Sequence, residues 1–543
     1  MNKICLLLIV SLLCLGNTTV FAQKNNLRAD DVRIAWDYSS MEKIAEKGGY
    51  PRLLRLQDSS IIIIYETRTG SIEYKRSYDN GKSWEYPVQV FSQFIYSNLS
   101  GESTIVNMAN AEIEQLQNGD LIVGCNYRPA KAEIAPYSIV IRRSTDNGKT
   151  WLPAQVLCNA APRFIDGCWE PSFLQLPDGE LQVYFANENP YQQSEEQEIS
   201  MVSSDDNGET WTKTPKIVSF RKERRDGMPV SIVCGDEIVT VIEDNYKEAF
   251  KPYTVRTKLK DNWAEPVLGD SEMRNYALQT PVPDSVYMGA PYIISLPNGQ
   301  TLISYQTTEN RSSNWELSTM EVAIGDTEAR NFKYRTRPFP VPLDKEAKWN
   351  SLAIWNKDTV VAVASSNFDY KNVAPWIIKG YQIPSELSIS KDVEGHSPLF
   401  IGSKGVTHAD INLWEDADSL YIIAQIADMS QSTQDGLSVC FASGKYRYKI
   451  FSNREGVISV WKEKKGKWNP FSMQKVQVGS EINENGYTLT FSISKTEIPL
   501  LRKDSFYFNA ILSAYESEAS GYEEAIVNSC IQEIDTWLKV KTN

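Results

Sequence analysis

Six stretches of the chain repeat one arrangement of apolar and polar positions: an apolar run, a short polar turn that is often Asp-Gly or Asn-Gly, and a second apolar run. They read YPRLLRLQDSSIIIIYE, NAEIEQLQNGDLIVGCNYR, WEPSFLQLPDGELQVYFANE, GMPVSIVCGDEIVTVIEDN, GAPYIISLPNGQTLISYQT and WNSLAIWNKDTVVAVASS. Apolar runs joined in this way predict β-hairpins. The last apolar residue before each turn falls at Leu56, Leu116, Leu176, Val233, Leu296 and Ile354, at intervals of 60, 60, 57, 63 and 58 residues. A unit of that length has room for four strands, and six such units predict an all-β, six-bladed β-propeller. The runs are nearly continuous in apolar residues rather than alternating, as expected of strands covered on both faces by neighbouring blades.

A second repeat runs through the first three units: SYDNGKSW from Ser77, STDNGKTW from Ser144 and SDDNGETW from Ser204. Asp and Asn side chains bond to nearby backbone amides, Gly takes a left-handed turn, and Trp84, Trp151 and Trp211 plug the blade. The motif resembles the Asp-box of the sialidase-like propellers, which implies that it joins the third and fourth strands of a blade. In an antiparallel blade that turn lies on the face opposite the start of strand one and the end of strand two. The repeated motif is therefore scaffolding, and working residues are expected on the other face.

After about residue 384 the blade pattern stops. Segments such as LYIIAQIAD, DGLSVCFAS and YTLTFSISKTEIP alternate like strands of a β-sandwich. The expected division is a signal peptide over 1–22, a propeller over 23–384 and a β-sandwich over 385–543. The first 22 residues have a short basic start, an apolar run and Ala22 as a cleavage position, the pattern of an export signal. Leu13 is bulky where a lipid-anchor site at Cys14 needs a small residue. No later run is apolar enough to insert in a membrane.

Composition then removes several classes of function. The formal net charge is −13, which disfavours nucleic acid and gives no general attraction to polyanions. Beyond the signal the cysteines are Cys125, Cys158, Cys168, Cys234, Cys440 and Cys530, with no CxxC pair, so no zinc site is expected. Cys158 and Cys168 are the nearest pair; a bridge or buried thiols are both compatible with the spacing. The only histidines are His396 and His408. The first 395 residues hold neither a Ser-His triad nor a histidine-ligated metal, so chemistry there must come from carboxylates, tyrosines or arginines. No metal or cofactor is expected.

At the openings of the first strands and the ends of the second stand Arg52, Glu66, Asn110, Glu112, Asn126, Arg225, Asp226, Tyr292 and Gln306, a polar set fit to hydrogen-bond a sugar. Two carboxylates stand out. Glu170, between Trp169 and Pro171, has apolar neighbours that favour its protonated form, and Glu243 closes the second strand of the next unit. Glycoside hydrolysis needs one acid and one nucleophile or base across the scissile bond.

The segments YPRLLRLQDSS, WEPSFLQLPDGELQVYF, RDGMPV followed by VIED, and GAPYIISLPNGQTLISYQT resemble the successive blades of glycoside hydrolase family 93, the exo-α-1,5-L-arabinanases of the sialidase superfold. The resemblance covers about residues 45 to 382. It implies retaining release of arabinobiose from the non-reducing end of linear arabinan, such as the side chains of pectin, with Glu170 as acid/base and Glu243 as its partner. The alternatives are an exo-sialidase, which needs three arginines around a carboxylate where this chain has Tyr292 in place of the third, and a non-catalytic glycan-binding propeller. The last part of the chain is similar to carbohydrate-binding module family 9, with Trp461 and Trp468 as candidates for stacking on sugar rings.

Overall fold

A computed structural model describes residues 32–339, 341–384, 386–389, 399–403, 407–428, 432–515, 521–525, 534 and 537–542. The expected export signal, His396 and Cys530 lie outside them. Six sheets of four or five strands form the propeller. In the first blade Gly49–Arg55, Ile61–Glu66, Ile72–Ser77 and Val88–Phe91 pair antiparallel in chain order. The next four blades repeat the order from Ser103–Gln115, Cys168–Gln175, Asp226–Cys234 and Met288–Ser295.

The sixth blade departs from it. Its inner strands are Ala347–Asn356, Thr359–Ser366 and Ala374–Pro384, but its outermost strand is Val32–Lys43, from the other end of the propeller segment. The ring is thus closed by hydrogen bonds between residues more than 300 positions apart, such as the pair Val32 and Pro384. The hairpin pattern starts at residue 50 and gives no hint of this strand.

The propeller core is divided among the interfaces between blades. The run Ile61–Ile64 shows why an uninterrupted apolar strand is needed. Ile62 and Ile64 pack with Met108 and Val123 of the second blade, while Ile61 and Ile63 pack with Val361 and Val363 of the sixth. All four are fully buried, and each contributes about 1.5–3 kcal/mol by leaving water. A lone blade has nowhere to bury either set.

Each Asp-box joins the third and fourth strands of its blade, as expected. In the second blade Asp146 accepts from the amide and the hydroxyl of Thr150 at 2.8 and 2.6 Å and from Ser144 Oγ at 2.8 Å. Asp79 and Asp206 repeat the arrangement. The left-handed turn spans two residues rather than glycine alone, since Asn80, Asn147 and Asn207 have φ of 62, 61 and 56°. In the fifth blade Asp326 plays the same part for the Arg330 amide at 2.9 Å, in a stretch, DTEARN, that has lost the identities of the motif.

The later strands form an eight-stranded and a five-stranded sheet packed face to face. Their shared core includes Leu437, Val439, Phe441, Leu489, Phe491, Phe508 and Leu512. At one end of the larger sheet lie Tyr446–Asn453, Ile458–Lys464 and Lys467–Pro470; the smaller sheet ends on Val476–Asn483. No helix among the described residues is long and apolar enough to cross a membrane.

Candidate active site

Every first strand of the propeller carries a bulge near its start. The pairing with strand two slips between Gly49 and Arg52, Ala109 and Glu112, Trp169 and Ser172, Gly227 and Val230, Gly289 and Tyr292, and Lys348 and Ser351. Inside each slip one residue is left-handed: Tyr50, Asn110, Glu170, Met228, Ala290 and Trp349, with φ between 49 and 55°. Six equivalent bulges bring six side chains to the axis, where Tyr50, Met228, Ala290 and Trp349, from four blades, form one cluster. Glu170 is the only carboxylate in this ring.

Four of the six bulge amides are held from the preceding blade. Tyr50 N donates to Ser365 Oγ at 2.8 Å, Ala290 N to Glu243 Oε2 at 2.7 Å, Trp349 N to Gln306 Oε1 at 2.8 Å, and Asn110 N to Glu66 Oε1. Glu243 therefore sits at a position whose recurring task is to cap a neighbour's backbone, a bland role that also fits Gln306 and Ser365. Its environment separates it from them. Burial pushes its carboxyl up to about 7 against the lowering effect of the Ala290 amide. Glu170 is pushed up to about 8, first by burial and next by repulsion from Glu243. Both side chains remain partly open to water.

Tyr287 stands beside this pair. Its hydroxyl accepts from Gln306 Nε2 at 2.9 Å, and a Cβ on Gly289 would lie 2.3 Å from that hydroxyl and 2.5 Å from Glu243 Oε2. Only glycine allows the tyrosine and the glutamate to approach the strand together. Aromatic walls rise on two sides. Phe164 and Trp169 lie 4.9 Å apart with the Arg128 guanidinium 5.4 and 5.2 Å from their rings. Opposite, Tyr287, Trp315 and Trp349 form a chain at 6.2 Å spacing. Arg225 pairs with Glu188, which also accepts from Trp169 Nε1 at 2.8 Å.

Of the residues expected at the cleft, Glu66, Asn110, Glu170, Glu243 and Gln306 belong to the bulge ring and its caps. Asn126 is buried and donates to Cys168 O at 3.3 Å. Arg225 lies at the rim, where its charge lowers both Glu170 and Glu243. Arg52, Glu112 and Tyr292 fall two residues further along their strands and form a buried knot. Arg52 Nε donates to Glu112 Oε2 at 2.9 Å, Tyr292 Oη lies 3.4 Å from Glu112 Oε1, and the guanidinium stacks 4.0 Å from the Tyr50 ring. Asp226 is not brought to the cleft. It is fully buried between blades, bonded to Arg274 Nη2 at 2.6 Å and Ser219 Oγ at 2.7 Å. Tyr50, Tyr287, Phe164 and Trp315 were not expected, because no residue type repeats at the bulge and the walls come from loops. In the later sheets Trp461 and Trp468 are half-buried, 4.6 and 5.6 Å from the Lys449 ammonium. Cys158 and Cys168 are unbridged thiols.

Residues 30–238 match the family described as BNR repeat-like domain. Among solved structures, the glycoside hydrolase family 93 α-L-arabinofuranosidase of Fusarium graminearum, in complex with arabinobiose, is 15% identical, with 64% of this chain and 97% of that one covered and a TM-score of 0.45. The Penicillium chrysogenum α-L-arabinanase, also with arabinobiose, is 15% identical over 64% of this chain and 96% of its own, with a TM-score of 0.45. The NanB sialidase of Streptococcus pneumoniae is 13% identical over 62% and 69%, with a TM-score of 0.45. No curated protein sequence matches.

Proposed function

We propose that the propeller is an exo-acting, retaining glycoside hydrolase that releases arabinobiose or a related arabinose unit from α-1,5-linked arabinan. The observation that carries this reading is the pair of enclosed carboxyls on adjacent blades, held at different proton affinities by different surroundings. Burial and repulsion from Glu243 favour the protonated form of Glu170, which suits an acid that protonates the leaving oxygen. Glu243 is anchored through one oxygen by the Ala290 amide, a contact that favours its ionised form against the effect of burial and suits a nucleophile. Phe164 on one side, backed by the buried Trp169, and Trp315 and Trp349 on the other offer flat faces to a sugar chain.

A second reading, an exo-sialidase, is favoured by one feature: Tyr287 lies against Glu243, the pairing that a tyrosine nucleophile would need. Against it, Arg52 is committed to Glu112 and to the carbonyls of Pro51 and Trp349. Arg225 is paired with Glu188, which leaves Arg128 for a task that profits from three converging guanidinium groups. Product analysis separates the two readings. Incubation with linear arabinan should yield arabinobiose and incubation with sialyllactose should yield nothing; free sialic acid would replace the first reading by the second.

A further inference from the structure

The formal charge of −13 is an average that hides one strongly basic region. Residues 445–467 contain eight Lys and Arg against two Glu. They build the last three strands of the eight-stranded sheet. Along the inner face of Tyr446–Asn453, Ser452, Ile450 and Tyr448 are buried, but Tyr446 is 46% exposed. The core runs out there, and a groove of about 700 Å³ opens, lined by four lysines, Lys445, Lys462, Lys464 and Lys465, against one carboxylate, Glu463, with Tyr446 and Phe471 beside them. Ligand-holding clefts have volumes of about 300–1,000 Å³.

We propose that this groove binds an anionic polysaccharide. The Lys462 ammonium stands among three rings, 5.1 Å from Tyr448, 5.3 Å from Phe471 and 5.8 Å from Tyr446. None of Lys445, Lys462, Lys464 and Lys465 forms an ion pair among the described residues. The neighbouring Arg447 instead takes Glu463, at 3.7 Å. Unneutralised like charges gathered in one concavity repel one another until an anion enters. The half-exposed rings of Tyr446 and Phe471 distinguish the groove from a plain basic patch, because they offer flat apolar faces to sugar rings while the ammoniums meet the acid groups. The acidic remainder of the surface does not cancel this field, since charges more than about 8 Å apart are screened at physiological salt. The site is separate from the propeller funnel and does not depend on the reaction there.

The test is affinity electrophoresis and calorimetry of the full chain with polygalacturonate, dextran sulfate, neutral dextran, polyglutamate and phosphatidylserine vesicles. Carboxylated and sulfated glycans present the same chemistry, and the first two probes show which source the groove prefers. Binding to at least one of them is expected, with none to neutral dextran, and affinity should fall steeply as salt rises. Lys462→Gln and, separately, Phe471→Ala should each weaken it about tenfold or more, with turnover of a short soluble substrate at the propeller unchanged. Lys462→Gln removes the charge while keeping most of the side-chain length, and keeps the test valid should Phe471→Ala fold poorly. The proposal is overturned by no binding to either acidic glycan, by equal binding to polyglutamate or vesicles, or by full affinity in Lys462→Gln.

Discussion

The two faces of the propeller treat carboxylates in opposite ways. On the box face Asp79, Asp146 and Asp206 stand in water and gather N–H and O–H donors. Each is pushed down to about 2, chiefly by the hydroxyl of Ser83, Thr150 or Thr210. On the cleft face Glu170 and Glu243 are largely desolvated, have few donors, and are pushed up to about 8 and about 7, chiefly by that burial. Both faces rest on left-handed backbone. In the boxes the turn is held by side chains within eight residues, so their identities must repeat. In four of the six bulges it is held by a residue of the preceding blade, so the bulge side chain is free to differ from blade to blade. Repeated identity marks scaffold that holds itself together; repeated backbone with divergent side chains leaves a surface on which each blade can present a different group.

The strongest test of this contrast is Glu170→Gln and Glu243→Gln. Each should lower kcat/KM on the substrate found by product analysis on the order of a thousandfold or more, with the fold retained. Near-normal turnover in both would place the chemistry elsewhere. Stability should move the other way. A carboxyl raised above its ordinary value of 4.5 favours folding below that pH, and the contribution is lost as pH climbs through its folded value, here about 8 for Glu170. Glu170→Gln should therefore melt higher than the parent at pH 8.

The pH profile is next in size. With Glu243 needed ionised and Glu170 needed protonated, kcat/KM should rise as pH passes about 7 and fall above about 8. Each limb should approach about tenfold per unit, and both belong to the coupled pair. A profile flat from pH 6 to 9 would show that these carboxyls do not carry the proton transfers.

Asp146→Ala should lower Tm by a few degrees near pH 7 and leave kcat and KM of the folded protein unchanged. A depressed carboxyl stabilises above its unfolded value of 3.8, and the stabilisation is lost as pH falls through about 2. The Tm difference should therefore shrink in strong acid. Lost catalysis with native melting would reverse the assignment of faces. Ala290→Gly should have the smallest effect, less than about 1 kcal/mol. Relief of left-handed strain, about 1–2 kcal/mol, is offset by about 0.4–1 kcal/mol of added unfolded-chain entropy and by about 0.8 kcal/mol for the buried methyl lost from the axial cluster. A larger loss would mean that removing the methyl leaves a cavity the axis cannot close.

Blade number, hairpin positions and the orientation of the boxes were legible in the chain because each depends on residues close in sequence: turn glycines, short polar linkers, continuous apolar runs. The positions of Glu170 and Glu243 followed from strand direction alone. Their proton affinities did not, nor did the bulges, since a bulge exists only as a mismatch between paired strands and its amide is capped from another blade. The closing strand Val32–Lys43 is defined by its pairing with Ala374–Pro384, and nothing in its own pattern names that partner. Arg52 and Asp226 show the same limit. Local sequence put both at strand openings facing the cleft, and only packing decided that one is tied to Glu112 and the other to Arg274. What the sequence determined by itself was what short-range backbone geometry and hydrophobic patterning dictate. The tertiary structure decided which polar groups are enclosed together, because desolvation and charge pairing depend on distances between blades that no local pattern encodes.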